Sequence, residues 1–344
     1  MPKVTVLIPT LDHADTLKYA IRSVQNQTIQ DFEILVVGDG SPERTNVILQ
    51  EIIQDDSRVK YLPHPKGEAH GELYRHEALL SASGEIVCYL CDDDMWLPQH
   101  LEILVPLLEK ADFAHTLHLK IWPGDIIVAL GKDINNPAVR QKMLAENWNI
   151  FGPTCVAHTL DAYLRLPLGW NPRPENMFSD LHMWRQWLSQ AWCRFHSEPV
   201  ATILHFPSTL RTTWSIDQRL EELDRWSEKL LQPDFYNWLN HEIVKEWQGR
   251  ITTVNVFFSA ISTLIQTARY TEANSLVDEA LLIDYHSARL HLFKSILLNK
   301  LGNIEASIES AKIALEYAPD NDGIRQHLQN LQNKSERTSI KSHT

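Results

Sequence analysis

At 344 residues, with 44% hydrophobic and 22% charged residues, the chain has the composition of a folded globular protein of one large domain plus a smaller appendage, and is far too apolar for a disordered one. Its 32 Lys and Arg stand against 44 Asp and Glu, a net charge of −12 with no long basic run, which excludes a phosphate-tracking nucleic-acid binder as the leading expectation. No charged region followed by an apolar stretch marks a signal peptide, and no apolar run reaches the roughly 18 residues of a membrane span. The expectation is a cytoplasmic protein, with room for a peripheral membrane contact.

In chain order, Val4–Ile8 is a β-branched run stopped by Pro9, and residues 15–27 then place Leu17, Ala20, Ile21 and Val24 at helical spacing. Phe32–Val37 repeats the strand signature before Gly38-Asp39-Gly40-Ser41, and Thr45–Ile53 has a helical pattern. Val59–Leu62 is a strand, Leu73–Ser81 a helix and Ile86–Leu90 a strand. This alternation predicts an α/β fold: a doubly wound, mostly parallel sheet covered by helices, with ligands bound beyond the carboxyl ends of the strands. The loops Pro9–His13, Gly38–Pro42, Lys66–Arg75 and Cys91–Trp96 are therefore the candidate site. Cys88 and Cys91 have redox-motif spacing, but they sit in or beside an apolar run, and with Cys155 and Cys193 they are read as inert core thiols.

From Pro123 to Pro174 the pattern loosens. A helix resumes over Asp180–Ala191, and Val200–His205 is a strand; this portion is expected to complete the domain, 1–215, and build its acceptor side. Residues 216–249 are expected as a helical linker. Over 250–332 the pairs Glu272-Ala273 and Ala280-Leu281 recur as Glu305-Ala306 and Ala314-Leu315, at offsets of 33 and 34 residues. With Leu301-Gly302 and Ala318-Pro319 they resemble tetratricopeptide repeats, which implies helical hairpins able to bind a protein partner; an ordinary helical bundle is the alternative. The polar stretch 333–344 is expected to be a disordered tail.

The strongest chemical signal is Asp92-Asp93-Asp94 directly after an apolar strand. Three adjacent carboxylates repel one another unless a cation or hydrogen-bond donors neutralise them, and Mg²⁺ or Mn²⁺ does so through one or two carboxylates plus substrate phosphates. An acidic turn capping the next helix is the bland alternative.

The chain resembles the inverting family 2 glycosyltransferases of the GT-A fold over roughly residues 1–215. The resemblance rests on Val4–Thr10 leading into a helix, on Glu33–Ser41, on Ser83-Gly84-Glu85-Ile86, and on Cys91–Pro98 with its Trp96. It implies a metal-dependent transfer from a nucleotide-sugar donor, a UDP-sugar, to a carbohydrate, lipid-linked or protein acceptor. Pro9, Thr10, Asp12, Asp39, Arg75 and Asp92 would bind the nucleotide; Asp93, Asp94 and His205 would serve the metal. The family often has an acid where Gly38 stands and commonly has one where Cys91 stands, so this chain departs from the pattern twice. Asp180, before a helix, matches the family's catalytic base, with Glu175 as the next candidate; Trp184, Arg211 and Trp214 would face the acceptor or close over the donor. Two other readings remain open: a catalytically silent relative acting as scaffold or adaptor, and a sugar nucleotidyltransferase. The latter usually has a Gly-rich basic loop after its first strand, and Thr10–Ala14 has neither Gly, Lys nor Arg.

Overall fold

The computed structural model describes residues 2–341. The N-terminal elements are β1 (Val4–Thr10), α1 (Ala14–Gln25), β2 (Phe32–Asp39), α2 (Glu43–Asp55), β3 (Val59–His64), α3 (Glu72–Leu80) and β4 (Ile86–Tyr89). They are followed by β5 (Met95–Trp96), α4 (His100–Leu107), β6 (Phe113–Trp122), β7 (Ile126–Leu130), α5 (Pro137–Ala145), β8 (Val156–Thr159), α6 (Leu160–Leu164), α7 (Ser179–Leu188), β9 (Phe195–Ala201) and β10 (Ile203–Leu204). The remainder is helical: α8 (Ile216–Leu230), α9 (Phe235–Gln266), α10 (Tyr270–Ile283), α11 (Ala288–Lys300), α12 (Ile304–Tyr317) and α13 (Asp322–Lys341). The chain divides into two compact units after Ile243.

The first unit holds the predicted sheet, in the order β3-β2-β1-β4-β8-β6-β7, with β9 also paired to β6. β1, β2, β3 and β4 pair in parallel, as their crossover helices require. β2 is buried along its whole length, which is why Ile34–Val37 is an unbroken apolar run rather than an alternation, with the buried Glu33 and Asp39 at its two ends held by hydrogen bonds. Strand order reverses at β1, so the carboxyl ends of β1 and β4 flank a crevice: Pro9-Thr10 on one side and the acidic loop on the other. Beyond β4 the pairing changes character. β8 runs antiparallel to β4 and β6, and β7 antiparallel to β6.

A glycine secures the close packing of the parallel half. A Cβ on Gly84 would lie 2.4 Å from the Thr5 backbone nitrogen, so the Ser83-Gly84 turn can press against β1. There the Gly84 N–H donates to the Thr5 hydroxyl at 3.0 Å, and that hydroxyl donates to Glu33 at 2.8 Å.

The antiparallel half rests on an aromatic core. Tyr89, Phe113, Phe151, Trp170, Trp184 and Trp187 are all buried, Trp184 without exposed surface. His158 Nδ1–H donates to the Thr159 carbonyl at 3.0 Å, which leaves Nε2 to accept from the Tyr89 hydroxyl at 2.6 Å. Tyr89 in turn accepts from the Trp170 indole at 3.0 Å. Along His158, Tyr89 and Trp170 the ring polar atoms are thus paired, whereas the Trp184 and Trp187 indole N–H groups are buried with no acceptor among the described residues.

Residues 216–230, expected to be linker, belong to the first unit. α8 buries Leu223 and Trp226, and its Asp224 accepts from the Tyr19 hydroxyl of α1 at 2.5 Å. In the second unit α10 and α12 begin and end 34 residues apart, and α11 and α13 begin 34 apart. Ala273 and Ser307, Val277 and Ala311, and Ala280 and Ala314 occupy equivalent positions of this register, all without exposed surface. The repeated small residues thus let successive helices pack closely. The stretch 333–341, expected to be disordered, continues α13; residues 342–344 lie outside the described residues.

Candidate active site

The acidic loop is neutralised one carboxylate at a time. β5 pairs with β10, Leu204 opposite Met95, which carries His205 to Asp94. Asp94, without exposed surface, accepts from the Phe206 N–H at 2.9 Å and from the Thr154 hydroxyl, and lies 2.9 Å from His205 Nδ1. Burial alone would raise its pKa, but the His205 charge and these bonds hold it below the ordinary carboxylate value, and Asp94 correspondingly raises His205 against its own burial. Asp92 lies 2.9 Å from His13 Nδ1; that bond, opposed by desolvation, raises the His13 imidazole to about 9, so it is a cation at neutral pH.

Asp93 is placed differently. Its Oδ2 accepts from Ser208 at 2.8 Å and from Arg219 of α8 at 2.9 Å, while burial and the charges of Asp94 and Asp92 push its pKa up. Its Oδ1 has no donor among the described residues. Of the three expected metal residues, Asp94 and His205 are thus committed to one another, and Asp93 keeps a carboxylate oxygen to offer. Among the described residues no three His, Cys, Asp or Glu groups form a ready cage.

Of the residues expected to bind the nucleotide, Pro9 lines the site cavity, and Thr10 is buried at the end of β1 with its hydroxyl unpartnered among the described residues. Asp12 is exposed, 3.7 Å from His13. Asp39, at the end of β2, accepts from Lys66 at 2.6 Å and from the Gly67 N–H at 2.7 Å. Gly71 holds a left-handed conformation (φ +67°), and a Cβ there would meet the Asp39 carboxyl carbon at 2.7 Å, so the 66–71 loop closes on Asp39 only because position 71 is glycine. Arg75 reaches from α3 to the His70 carbonyl at 2.8 Å and over the Trp170 ring at 4.9 Å; its Nε is buried with no acceptor.

Arg75, Pro9 and Cys91 line a cavity of about 650 Å³ together with Asn147, Arg173 and Asp180. Asp180 sits within the first turn of α7 rather than at its cap, accepting from the Leu181 N–H and from Asn149, each at 2.8 Å. Burial raises its pKa to about 6, against the pull of those bonds and of Arg75. Cys91 therefore stands at the cavity wall where an acid was expected; burial and the neighbouring carboxylates keep its thiol protonated. The backbone of Lys120 pairs with that of His205 in an isolated parallel bridge; burial lowers the Lys120 pKa, and the charge of Asp180 opposes this.

Three expectations are corrected. Trp184 is fully buried among Tyr89, Phe113, Phe151 and Trp170, so it cannot touch an acceptor. Arg211 is no mobile lid residue: its guanidinium, without exposed side-chain surface, is paired with Glu222 at 2.6 Å and bonded to the Pro207 and Ile121 carbonyls. Glu175 is exposed and stands outside the cavity wall that Asp180 lines. Trp214 is half-buried, 5.3 Å from the Arg211 guanidinium. His13, Lys120, Asn149, Thr154, Ser208 and Arg219 escaped the sequence reading. They lie far from the motif in sequence, and only the folded chain brings them to it.

The family described as glycosyl transferase family 2 matches residues 5–158, which run from within β1 to within β8 and include the acidic loop. A GalNAc(5)-diNAcBac-PP-undecaprenol beta-1,3-glucosyltransferase of Campylobacter jejuni is 37% identical over 117 residues, 33% of this chain and 37% of that protein, so the chain spans little more than a third of that relative's length. A UDP-Glc:alpha-D-GlcNAc-diphosphoundecaprenol beta-1,3-glucosyltransferase of Escherichia coli is 28% identical over 184 residues, 53% of this chain and 68% of that one. Among solved structures, residues 1–349 of S. aureus TarS in complex with UDP-GlcNAc are similar over 92% of each chain, at 14% identity and a TM-score of 0.48. Strand order, acidic loop and family match coincide on the same residues: the stretch 5–158 of this chain is similar to glycosyl transferase family 2.

Proposed function

We propose that the chain transfers a sugar, with inversion, from a nucleotide-diphosphate sugar, specifically a UDP-sugar, to a hydroxyl acceptor, using Mg²⁺ or Mn²⁺. The observation that carries this reading is Asp180, a carboxylate raised to about 6, facing one cavity with Arg75, Pro9 and the first residue of the acidic loop. A base is most effective when its pKa lies near the working pH, because it is then both ionised and basic enough to take a proton. Asp180 accepts the acceptor hydroxyl's proton as its oxygen attacks the anomeric carbon opposite the leaving diphosphate. Asn149 and the Leu181 N–H hold the carboxylate in place.

Arg75, with a buried unused donor, and Asp39 are assigned to the nucleotide. The free Oδ1 of Asp93 suits a hard cation that takes few protein ligands and completes its shell with phosphate oxygens. When bound there, such an ion supplies positive charge against the charge developing on the leaving diphosphate. The names of the two curated relatives support an acceptor sugar carried on a diphosphate-linked polyprenol. The 34-residue helical register of the second unit supports a tetratricopeptide-like module for a protein partner.

The test is to incubate the chain with a panel of nucleotide-sugars and Mn²⁺ and follow nucleoside diphosphate release. Release from a UDP-sugar, abolished by chelation, is expected. Absence of release from every donor, with no UDP binding, overturns the reading.

A further inference from the structure

We propose that Arg219, which donates to Asp93, is a ligand of the donor diphosphate and is handed to the phosphate oxygens when the donor binds; this rests on the nucleotide-sugar reading above. Arg219 lies on α8, beyond the family match, and is only 9% exposed. Its Nη2 donates to Asp93 at 2.9 Å, while its Nε is buried with no acceptor. A guanidinium presents its donors as a planar fork that engages carboxylate or phosphate oxygens in pairs, so a single bond with a neighbouring buried donor unused is an incomplete engagement.

The charges around it point the same way. Asp92 and Asp94 each have an imidazole of their own, His13 and His205, so Arg219 is the cation assigned to Asp93. A diphosphate brought to this loop adds negative charge beside Asp93 and needs a cation between the two. Arg219 already stands at that carboxylate.

The helix itself is fixed. The Ser215 side chain and Gln218 close a capping box at its start, and Glu222, about one turn past Arg219, is locked in the buried pair with Arg211. The backbone of α8 therefore stays, and the exchange of partners is a movement of the Arg219 side chain alone.

Titration calorimetry of the full chain with UDP and with uridine, in Mn²⁺, tests this on wild type, Arg219→Gln, Arg219→Lys and Arg225→Gln, the last altering an arginine of the same helix that pairs with Asp125. Arg219→Gln is expected to weaken UDP about 10–100-fold, the range for a hydrogen bond to a charged group, and to leave uridine unchanged. Arg219→Lys should fall between, keeping charge without the fork, and Arg225→Gln should match wild type. UDP affinity within twofold of wild type in Arg219→Gln, or equal losses for UDP and uridine, overturns the inference and leaves Arg219 a structural counter-ion of Asp93. Should Arg219→Gln not fold, the lysine variant decides by the same contrast. A wild-type chain that binds neither UDP nor GDP overturns the donor reading and the inference together.

Discussion

The two halves of the sheet are assembled by different rules. In β3-β2-β1-β4 the strands all pair in parallel, β1 with β2 and β2 with β3 as consecutive strands and β4 back against β1, and each loop proposed to bind the nucleotide follows its own strand. In β8-β6-β7 with β9, the pairs are mostly antiparallel, and the residues that meet there come from positions 89 to 205. On the function proposed above, the first half would bind the donor through groups fixed by local sequence, while His205, carried by the β5–β10 pairing, and Asp180, carried by α7, reach the site through packing no short window contains. Substrate binding and proton transfer should accordingly fail separately.

The largest effect is expected at Asp180. Asp180→Asn keeps volume but cannot take a proton, so the turnover number should fall about 10²–10⁴-fold. UDP affinity, measured by calorimetry, should stay within twofold, since Asp39 and Asp93 are untouched. A variant that loses UDP binding with its turnover would erase the division between the halves.

Next comes the join between the sheet and α8. Glu222→Ala leaves the Arg211 guanidinium buried and unpaired, which costs about 3–5 kcal/mol of stability and should appear as a lowered midpoint in denaturant melts. The pair is buried on both sides, so solvent does not screen it. A melt indistinguishable from wild type would return α8 to the status of a linker.

A smaller effect sharpens the nucleotide half. Asp39→Ala removes the acceptor for Lys66 and for the Gly67 N–H and should weaken both UDP and uridine by about 1–3 kcal/mol, the loss of a buried hydrogen bond to the base. Turnover at saturating donor should not change. Equal affinity in mutant and wild type would make Asp39 a brace for the 66–71 loop.

These contrasts match what was legible. Val4–Ile8, Phe32–Val37 and Ile86–Leu90 could be read because short, mostly apolar runs rich in β-branched residues signal strands buried on both faces. The acidic loop could be read because three consecutive carboxylates demand neutralisation. What neutralises them was legible only in part: the resemblance brought His205 to the acidic residues, but His13, Thr154, Ser208 and Arg219 reach the loop through tertiary packing that no local pattern shows. Trp184 misled because a tryptophan beside a candidate base suits a sugar platform and an aromatic core equally by composition; its neighbours Phe113 and Phe151 decide for the core. The α8 helix was taken for a linker because its apolar face, Leu223 and Trp226, shows only its period and not its partner.

The smallest effect is a displacement along the pH axis, and it tests why Asp180 is poised where it is. Burial lifts its pKa from the ordinary 3.8 to about 6, and the Asn149 bond opposes that lift because it stabilises the ionised carboxylate. Turnover should therefore lose activity as pH falls through about 6, where the base takes up a proton from solvent instead of from the acceptor. Asn149→Ala removes a donor to Oδ2 without changing the burial that raised the pKa, so the acid limb should move upward, by about one pH unit at most, since a net hydrogen bond contributes about 1 kcal/mol and one unit corresponds to about 1.4 kcal/mol. At pH 8 the variant should keep most of its turnover, and at pH 6 it should lag. The raised pKa also means that the folded chain holds this proton more tightly than the unfolded one. Asp180 thus contributes stability in acid that is lost as pH rises from about 4 through 6, and Asn149→Ala should carry that loss to higher pH. An acid limb that stays in place, or one that moves downward, would mean that Asn149 positions the carboxylate without tuning it.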